Sequence, residues 1–304
     1  LHTNIIQYII RAIIAMRWII WFLINFIFVV VINGDIYNDQ GYHKAVGISR
    51  AYKLMSEEGY ITRIVGGKEV TSTTLYPYQA GIVITLATGQ TSLCGGALIS
   101  NTKVVTAAHC WWDGQTKAKQ FTIVLGSVKI FTGGTRIITN DVTVHPNWNT
   151  KDITNDIAMV KISKVTYSSS IQAVSLPTTA DANENFAGLQ AVATGYGKTR
   201  DAQNGFPSTT SLHHINLNII SNTACQKSFD IPLHASHMCT NGAGKVGTCD
   251  GDSGGPLTVM RKNKRTLVGI VSFGLADACQ SGYPSVYTRV TSFLTWIQSN
   301  LLTK

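Results

Sequence analysis

The sequence predicts an all-β protein, a barrel or a sandwich, on three observations. Short β-rich runs succeed one another, turn-forming Gly, Asn, Ser and Pro separate them, and the one convincing helix is terminal. The runs cover 81–87, 97–100, 104–107, 121–125, 136–144, 157–162, 189–195, 257–260, 267–273 and 285–289. No internal repeat is visible, although a chain of this length and strand number has room for two barrels. The helix is read in T-S-F-L-T-W-I-Q-S-N-L-L, where Phe293, Trp296, Ile297 and Leu301 share a face and Thr291 or Ser292 offers a cap.

At 304 residues and 44% apolar content the chain can bury a full core, which excludes a disordered protein. The formal charge is +9, and the 19 Lys and Arg against 12 Asp and Glu from Ile64 onward leave +7 for the body. An excess spread this evenly means solubility, and no nucleic-acid partner is expected. The densest basic run, R-K-N-K-R at 261–265, lies between two apolar strands and reads as a solvated hairpin turn.

The N-terminal part divides into two segments. In 17–34, Arg17 precedes about fifteen apolar residues and a small residue closes the run, the pattern of a secretory signal. The run is shorter than the roughly 20 residues a spanning helix needs, and Asn25 interrupts it, so no stable membrane anchor is expected. Met16 is the expected start, with residues 1–15 as upstream sequence, and 1–34 as the signal region. Residues 35–63 are polar, free of cysteine and without periodicity, which suits a removable propeptide. They end in I-T-R-I-V-G-G, where Arg63 offers a basic cleavage point and Ile64 an apolar new terminus. The structural alternative is a strand start closed by a glycine turn. Residues 64–304 form the remaining domain.

Six cysteines, at 94, 110, 225, 239, 249 and 279, all follow Ile64 and suit three disulfides in an oxidising, extracellular compartment. No C-x-x-C or H-E-x-x-H occurs, which argues against zinc. His234, His237 and Cys239 have ligand-like spacing, but the cysteine is wanted for a disulfide.

The chemistry centres on C-D-G-D-S-G-G-P, 249–256. Glycines and a proline crowd Ser253, so the backbone must turn sharply and present its own N–H groups. A serine hydroxyl needs a base oriented by a third group to become a nucleophile. His109 follows the apolar V-V-T-A-A and precedes Cys110, which can tether it. Asp156 alone among the intervening acids opens a mostly apolar run, I-A-M-V-K-I, and a carboxylate at a core edge calls for a hydrogen-bond donor such as an imidazole. Chain order discriminates further. Gly251 to Gly255 also satisfies G-x-S-x-G, yet no histidine follows His237, as an α/β-hydrolase would require. A subtilisin order needs an aspartate before His109, and 64–108 has none. The order left is His, Asp, Ser.

With I-V-G-G, T-A-A-H-C, N-D-I-A-M-V, G-D-S-G-G-P and S-F-G in succession, the chain from Ile64 onward resembles the trypsin/chymotrypsin family of serine proteases, of the chymotrypsin-like, arthropod type. The resemblance implies a double six-stranded β-barrel with a C-terminal helix and a cleft between the barrels. It also implies that Ser253 attacks a peptide carbonyl, His109 transfers the proton and Asp156 orients the imidazole. The N–H groups of Gly251 and Ser253 would form the oxyanion hole. After cleavage at Arg63, the ammonium of Ile64 would pair with Asp252. The implied disulfides are Cys94 with Cys110, Cys225 with Cys239, and Cys249 with Cys279.

For the substrate-binding pocket the resemblance points to Gly247 at the base, six residues before the serine, with Ser272, Phe273 and Gly274 along one wall and Ser285 beside them. The absence of an aspartate at Gly247 disfavours Arg or Lys before the cut and favours a large apolar or aromatic residue. Gly274 leaves the entrance open, whereas bulky side chains there would indicate elastase-like preference. Ser285 stands where many relatives have glycine, and Phe273 where tryptophan is common, so Leu, Met or Tyr rival Phe. Asp250 and Asp277 bring negative charge near the mouth. Collagenase-like members share a glycine at the base but carry an acid where this chain has Ser285.

No cofactor or metal is expected, since 125–139 holds no acid for a calcium loop. Trp111 and Trp112 are expected to pack against the disulfide rather than line the cleft. The expected partners are polypeptide substrates, an activating protease and protein protease inhibitors, for a secreted, digestive, monomeric enzyme. The rival readings are a cascade protease with one target and a non-catalytic homologue that binds partner proteins; the intact trio His109, Asp156 and Ser253 argues against the latter.

Overall fold

The computed structural model describes residues 41–44, 61–62, 67–197, 209–275 and 279–303. The segment 17–34, Arg63, Ile64 and Asp277 lie outside the described residues. Among the described residues no helix is long and apolar enough to cross a membrane.

Two short strands, β1 (Ile61–Thr62) and β2 (Lys68–Glu69), precede the first barrel. That barrel is built from β3 (Gln79–Leu86), β4 (Thr91–Ser100), β5 (Lys103–Thr106), β6 (Ala118–Leu125), β7 (Thr135–Thr139), β8 (Val142–Val144) and β9 (Ala158–Lys161), in the order β7-β6-β3-β4-β5-β9-β8. Strand side chains alternate faces, so Ile82, Ile84 and Leu86 of β3 enter the core together and meet Phe121, Ile123 and Leu125 of β6. The single strand expected over 136–144 is two strands broken at Asn140–Asp141. The break has a purpose in the topology: β7 pairs with β6 while β8 turns to pair with β9, so one bent segment closes the barrel.

The second barrel contains β10 (Gln190–Gly195), β12 (His213–Ile220), β13 (His237–Thr240), β14 (Pro256–Arg261), β15 (Lys264–Phe273) and β16 (Ser285–Arg289), and a short β11 (Thr209–Thr210) lies outside it. It closes on itself because β10 pairs with β14 on one side and with β12 on the other. Its core alternates in the same way, with Ala191 and Ala193, Ile215, Leu217 and Ile219, and Leu257 and Val259 facing inward around Met238 and Tyr287. β12 and β13 are absent from the sequence-based strand assignment. The R-K-N-K-R run is the expected hairpin: Lys262 and Asn263 take φ of 46° and 59°, as a tight β14–β15 turn requires.

Helix α1 (Asn222–Gln226), capped by Ser221, was not expected, and α2 (Leu294–Leu302) was. The expected cap is corrected: a 3₁₀ turn over Val290–Phe293 leads into α2, whose N-cap is Phe293 with no side-chain bond. Packing rather than capping holds it, through the buried Phe293, Leu294 and Ile297.

All three disulfides join the partners that the family resemblance implies, Cys94–Cys110, Cys225–Cys239 and Cys249–Cys279. The barrels are joined by buried polar contacts. Thr194 Oγ1 donates to Gln79 Oε1 at 2.5 Å, and the hydroxyls of Tyr78 and Thr258 meet at 3.1 Å. Thr258 also donates to Val192 O at 3.3 Å and therefore keeps a partner without Tyr78. Tyr78→Phe is expected to cost about 1 kcal/mol and to lower the thermal midpoint by roughly 2–4 °C, read by calorimetry.

Candidate active site

The site is assembled where the barrels face each other. His109 lies in a 3₁₀ turn, Ala108–Cys110, directly after β5, and the Cys94–Cys110 disulfide fastens that turn to β4. Asp156 lies two residues before the start of β9, the neighbour of β5. The turn before it is tight, with Ile153 and Asn155 at φ of 52° and 58°. Asparagine tolerates this left-handed region, and Asn155 is further held by its Nδ2 donating to Asn147 O at 2.8 Å. Ile153 is β-branched and strained there, but its carbonyl bonds His237 Nε2 at 2.9 Å and the residue is buried.

The Asp156 carboxylate is completely buried and fully engaged. Oδ1 accepts the His109 backbone N–H at 2.9 Å, and Oδ2 lies 2.8 Å from His109 Nδ1 and accepts the Ser272 hydroxyl at 2.6 Å. An ionised carboxylate only accepts, so Nδ1 carries the proton and Nε2 is left as the basic nitrogen. Ser272 reaches Asp156 because of a β-bulge. Val271 pairs with Tyr287 and Phe273 with Val286, so the register shifts at Ser272 and its side chain is re-aimed. The barrels are tied at the same point by Thr288, whose hydroxyl donates to Asp156 O at 2.7 Å.

The Ser253 loop touches both barrels. Ser253 O accepts the N–H of Gly95 at 2.7 Å, and Gly254 N–H donates to Val271 O at 2.8 Å. Cys110 Sγ lies 3.8 Å from Ser253 O, so the disulfide beside His109 also borders the serine. Gly254 sits at φ +77°, and a Cβ there would stand 2.6 Å from Gly95 O; only glycine fits. Gly251 takes φ +91°. Among the described residues no acceptor takes the N–H of Gly251 or of Ser253.

Asp252 is buried beside the serine. Its Oδ1 accepts Gly197 N–H at 2.6 Å and its Oδ2 accepts Cys249 N–H at 3.0 Å. Gly195 and Gly197 press on this carboxylate; a Cβ at either would overlap it. Neither glycine was singled out in the sequence, although G-Y-G at the end of an apolar strand was a visible sign of close approach.

Around the expected pocket, a Cβ on Gly247 would meet Ser285 Oγ at 3.0 Å, so these residues share one point, and Ser285 is buried. A Cβ on Gly274 would have open space around it. Phe273 packs edge-on against Phe229 and His237, with ring centroids at 5.8 and 5.5 Å. Trp111 packs edge-on against Phe121 at 5.0 Å, while Trp112 is exposed and its carbonyl accepts Trp148 Nε1 at 3.0 Å. The His234, His237 and Cys239 spacing brings no three ligands together, since Cys239 is disulfide-bonded and the two rings meet edge to face at 5.8 Å.

Residues near His109 that sequence reasoning missed are Gly41, Tyr42, His43 and Asp113. Tyr42 lies tilted against the His109 ring at 4.7 Å and donates to Leu93 O at 2.5 Å. His43 N–H donates to Asp113 Oδ2 at 2.8 Å. They come from opposite sides of the expected cleavage point, and only the folded chain brings them together.

The chain matches the Trypsin family model over residues 64–297. It is 38% identical over 240 residues to the brachyurin of Leptuca pugilator, covering 78% of this chain and 97% of that protein. It is 36% identical over 242 residues to a chymotrypsin of Phaedon cochleariae, covering 78% and 82%. A solved structure of HL collagenase superimposes with a TM-score of 0.72 at 33% identity, covering 79% of this chain and 100% of that one. Together with the two closed barrels, these matches show that the chain belongs to the trypsin family of serine proteases.

Proposed function

We propose that this serine protease is a secreted endopeptidase, made as a zymogen, in which Ser253, His109 and Asp156 form the catalytic triad. The observation that carries the reading is the Asp156 carboxylate bound at 2.8 Å to His109 Nδ1, which leaves Nε2 as the proton acceptor. Ser253 Oγ attacks the scissile carbonyl as Nε2 takes its proton. The imidazolium then gives that proton to the leaving amine, and water repeats the sequence on the acyl-enzyme. Asp156 holds the tautomer and stabilises the transient positive charge, and Ser272 fixes the carboxylate. The N–H groups of Gly251 and Ser253 receive the oxyanion, each contributing about 3 kcal/mol.

The polypeptide substrate pairs with the 272–274 edge as an added strand. Its side chain before the cut enters a neutral pocket over Gly247, narrowed by the Ser285 hydroxymethyl and open at Gly274. This supports chymotrypsin-like preference for large apolar or aromatic residues. The brachyurin and collagenase likenesses favour broader acceptance as a second reading. Cleavage after Arg63 would free Ile64 to pair with Asp252, whose glycine-lined, donor-ringed site suits a buried ammonium as its counter-charge. An activating protease and protein inhibitors are the expected partners beyond substrate. A secreted digestive role fits a propeptide without cysteine, and the disulfides suit an oxidising compartment.

Ser253→Ala is expected to abolish labelling by a serine-directed phosphonate while the circular dichroism spectrum is kept; undiminished labelling would overturn the assignment. Asp156→Asn is expected to lower kcat by about 10⁴, the scale that triad chemistry sets in this family, with KM nearly constant. On a peptide library, the protein cleaved after Arg63 is expected to cut after Phe, Tyr, Leu or Met. Ser285→Gly is expected to raise kcat/KM for Phe over Leu by about tenfold, one pocket contact's worth. Dominant cutting after Arg or Lys would refute the neutral pocket.

A further inference from the structure

The triad reading leaves one cluster unexplained: a four-residue piece of the propeptide, 41–44, is packed onto the catalytic face. Tyr42 and His43 are buried, although both lie ahead of Arg63. His109 itself is only 1% exposed, and the Tyr42 ring, 4.7 Å away, is part of its cover. The fit is specific at each residue. Gly41 takes φ +70° with its Cα against the Asp113 carboxylate, and a Cβ would stand 2.7 Å from Oδ2. The Tyr42 hydroxyl donates to Leu93 O at 2.5 Å and lies 3.7 Å from Cys94 Sγ. His43 donates its backbone N–H to Asp113 Oδ2, and its Nδ1 is bonded to the Ser92 hydroxyl at 2.9 Å. The receiving side is prepared independently. Asp113 Oδ1 accepts the N–H groups of Gln115 and Thr116 at 2.9 and 2.7 Å, which aims Oδ2 at the propeptide.

We propose that the protease domain carries, beside His109 and the Cys94–Cys110 disulfide, a docking site for the propeptide segment Gly41-Tyr42-His43, and that the segment competes there with substrate for access to His109. The proposal rests on the reading of His109 as the catalytic base. A peptide bond must reach that imidazole to be cleaved, and the Tyr42 ring lies tilted against it, 4.7 Å between centroids. Residues 35–63 contain no cysteine, so nothing covalent retains the segment once Arg63 is cut. The released peptide is therefore a reversible inhibitor whose recognised elements are a glycine, a phenol and a neutral imidazole.

The neutral form follows from the surroundings. His43 Nε2 is buried without a partner among the described residues, which a bare acceptor nitrogen tolerates better than an N–H would. Burial pushes the imidazole down to about 4; neighbouring Asp113 raises it and His109 lowers it further. Among the described residues, Asp113, His109 and the Tyr42 phenol, whose ring meets it edge-on at 5.5 Å, are the titratable groups that face it, with the Ser92 hydroxyl as its neutral partner. A free peptide histidine titrates near 6.5, so docking is full above that value and is lost as pH falls from about 6.5 toward 4.

The test uses the chain cleaved after Arg63 and a fluorescent synthetic peptide of residues 35–63, with binding read by anisotropy and inhibition by hydrolysis of a short chromogenic substrate. Saturable binding with competitive inhibition is expected. Tyr42→Ala in the peptide should weaken both by roughly thirtyfold or more, through loss of a buried ring and its hydrogen bond. Asp113→Asn in the protein should weaken binding by about tenfold and leave kcat/KM on the short substrate unchanged. Relative to a His43→Ala peptide measured in parallel as the baseline, the wild-type peptide should bind about thirtyfold more weakly at pH 5 than at pH 7.5. In the uncut chain, Tyr42→Ala should speed carbethoxylation of His109, followed by mass spectrometry, by about tenfold or more. Failure to bind at millimolar peptide, or equal affinity of the Tyr42→Ala peptide, would overturn the proposal. Phosphonate labelling separates the two readings: labelling without peptide binding sinks the docking site alone, and binding without labelling sinks the protease mechanism.

Discussion

The constraint on which the rest of the structure depends is the burial of one carboxylate. Asp156 has no solvent exposure, and an isolated ionised carboxylate in such a place would be prohibitively unstable. The chain meets this with donors from both barrels: the His109 backbone and ring from the first, and Ser272 from the second, while Thr288 takes the Asp156 carbonyl. The barrels cannot drift apart without stranding that charge. The geometry of the proposed triad and inter-barrel cohesion are therefore one interaction. The bulge at Ser272 makes sense in the same terms, since a regular ladder would leave one carboxylate oxygen with one donor fewer.

The serine loop depends on close backbone approach instead of charge. Gly95 donates to Ser253 O, and a Cβ on Gly95 would stand 2.9 Å from the Gly255 Cα. Gly254 is confined by Thr106 and the Gly95 carbonyl, and Thr106 Oγ1 also donates to that carbonyl at 2.7 Å. Side chains at these positions would lift the loop off the first barrel and carry Ser253 away from His109. Asp252 then has its own shell of Gly195, Gly197 and two backbone donors, a second buried carboxylate, next in sequence to Ser253.

Much of this was legible in the sequence, and the residues say why. Strands such as 285–289 were read to the residue because runs of β-branched and aromatic side chains end at turn signals. β12 was missed even though H-H-I-N-L-N-I-I alternates cleanly, because asparagine is a poor strand former and hides the pattern. β13 is buried at all four positions and has no alternation to read, and five-residue α1 is too short to display a period. The strand over 136–144 reads as one segment because the kink at Asn140–Asp141 answers to barrel closure, a non-local demand. The site divides similarly. His109, Asp156 and Ser253 are marked by their local contexts, whereas Ser272's turn toward Asp156 comes from a register shift and Tyr42's position comes from folding across many residues.

The cover over His109 connects these points. An imidazole that must be basic at Nε2 in a bound complex is best served by a dry, low-dielectric setting, where its interaction with Asp156 is strongest. Tyr42 helps to supply that setting here, and in the cleaved enzyme that the zymogen reading implies, the substrate itself would have to do so. The two occupants are then alternatives for the same surface. On the proposed reading, a propeptide that imitates the shielding of a substrate while offering no scissile bond to Ser253 would keep the triad formed and idle. On the zymogen reading proposed above, activation at this face would have to change the occupant, because the carboxylate that holds His109 is already paired with it.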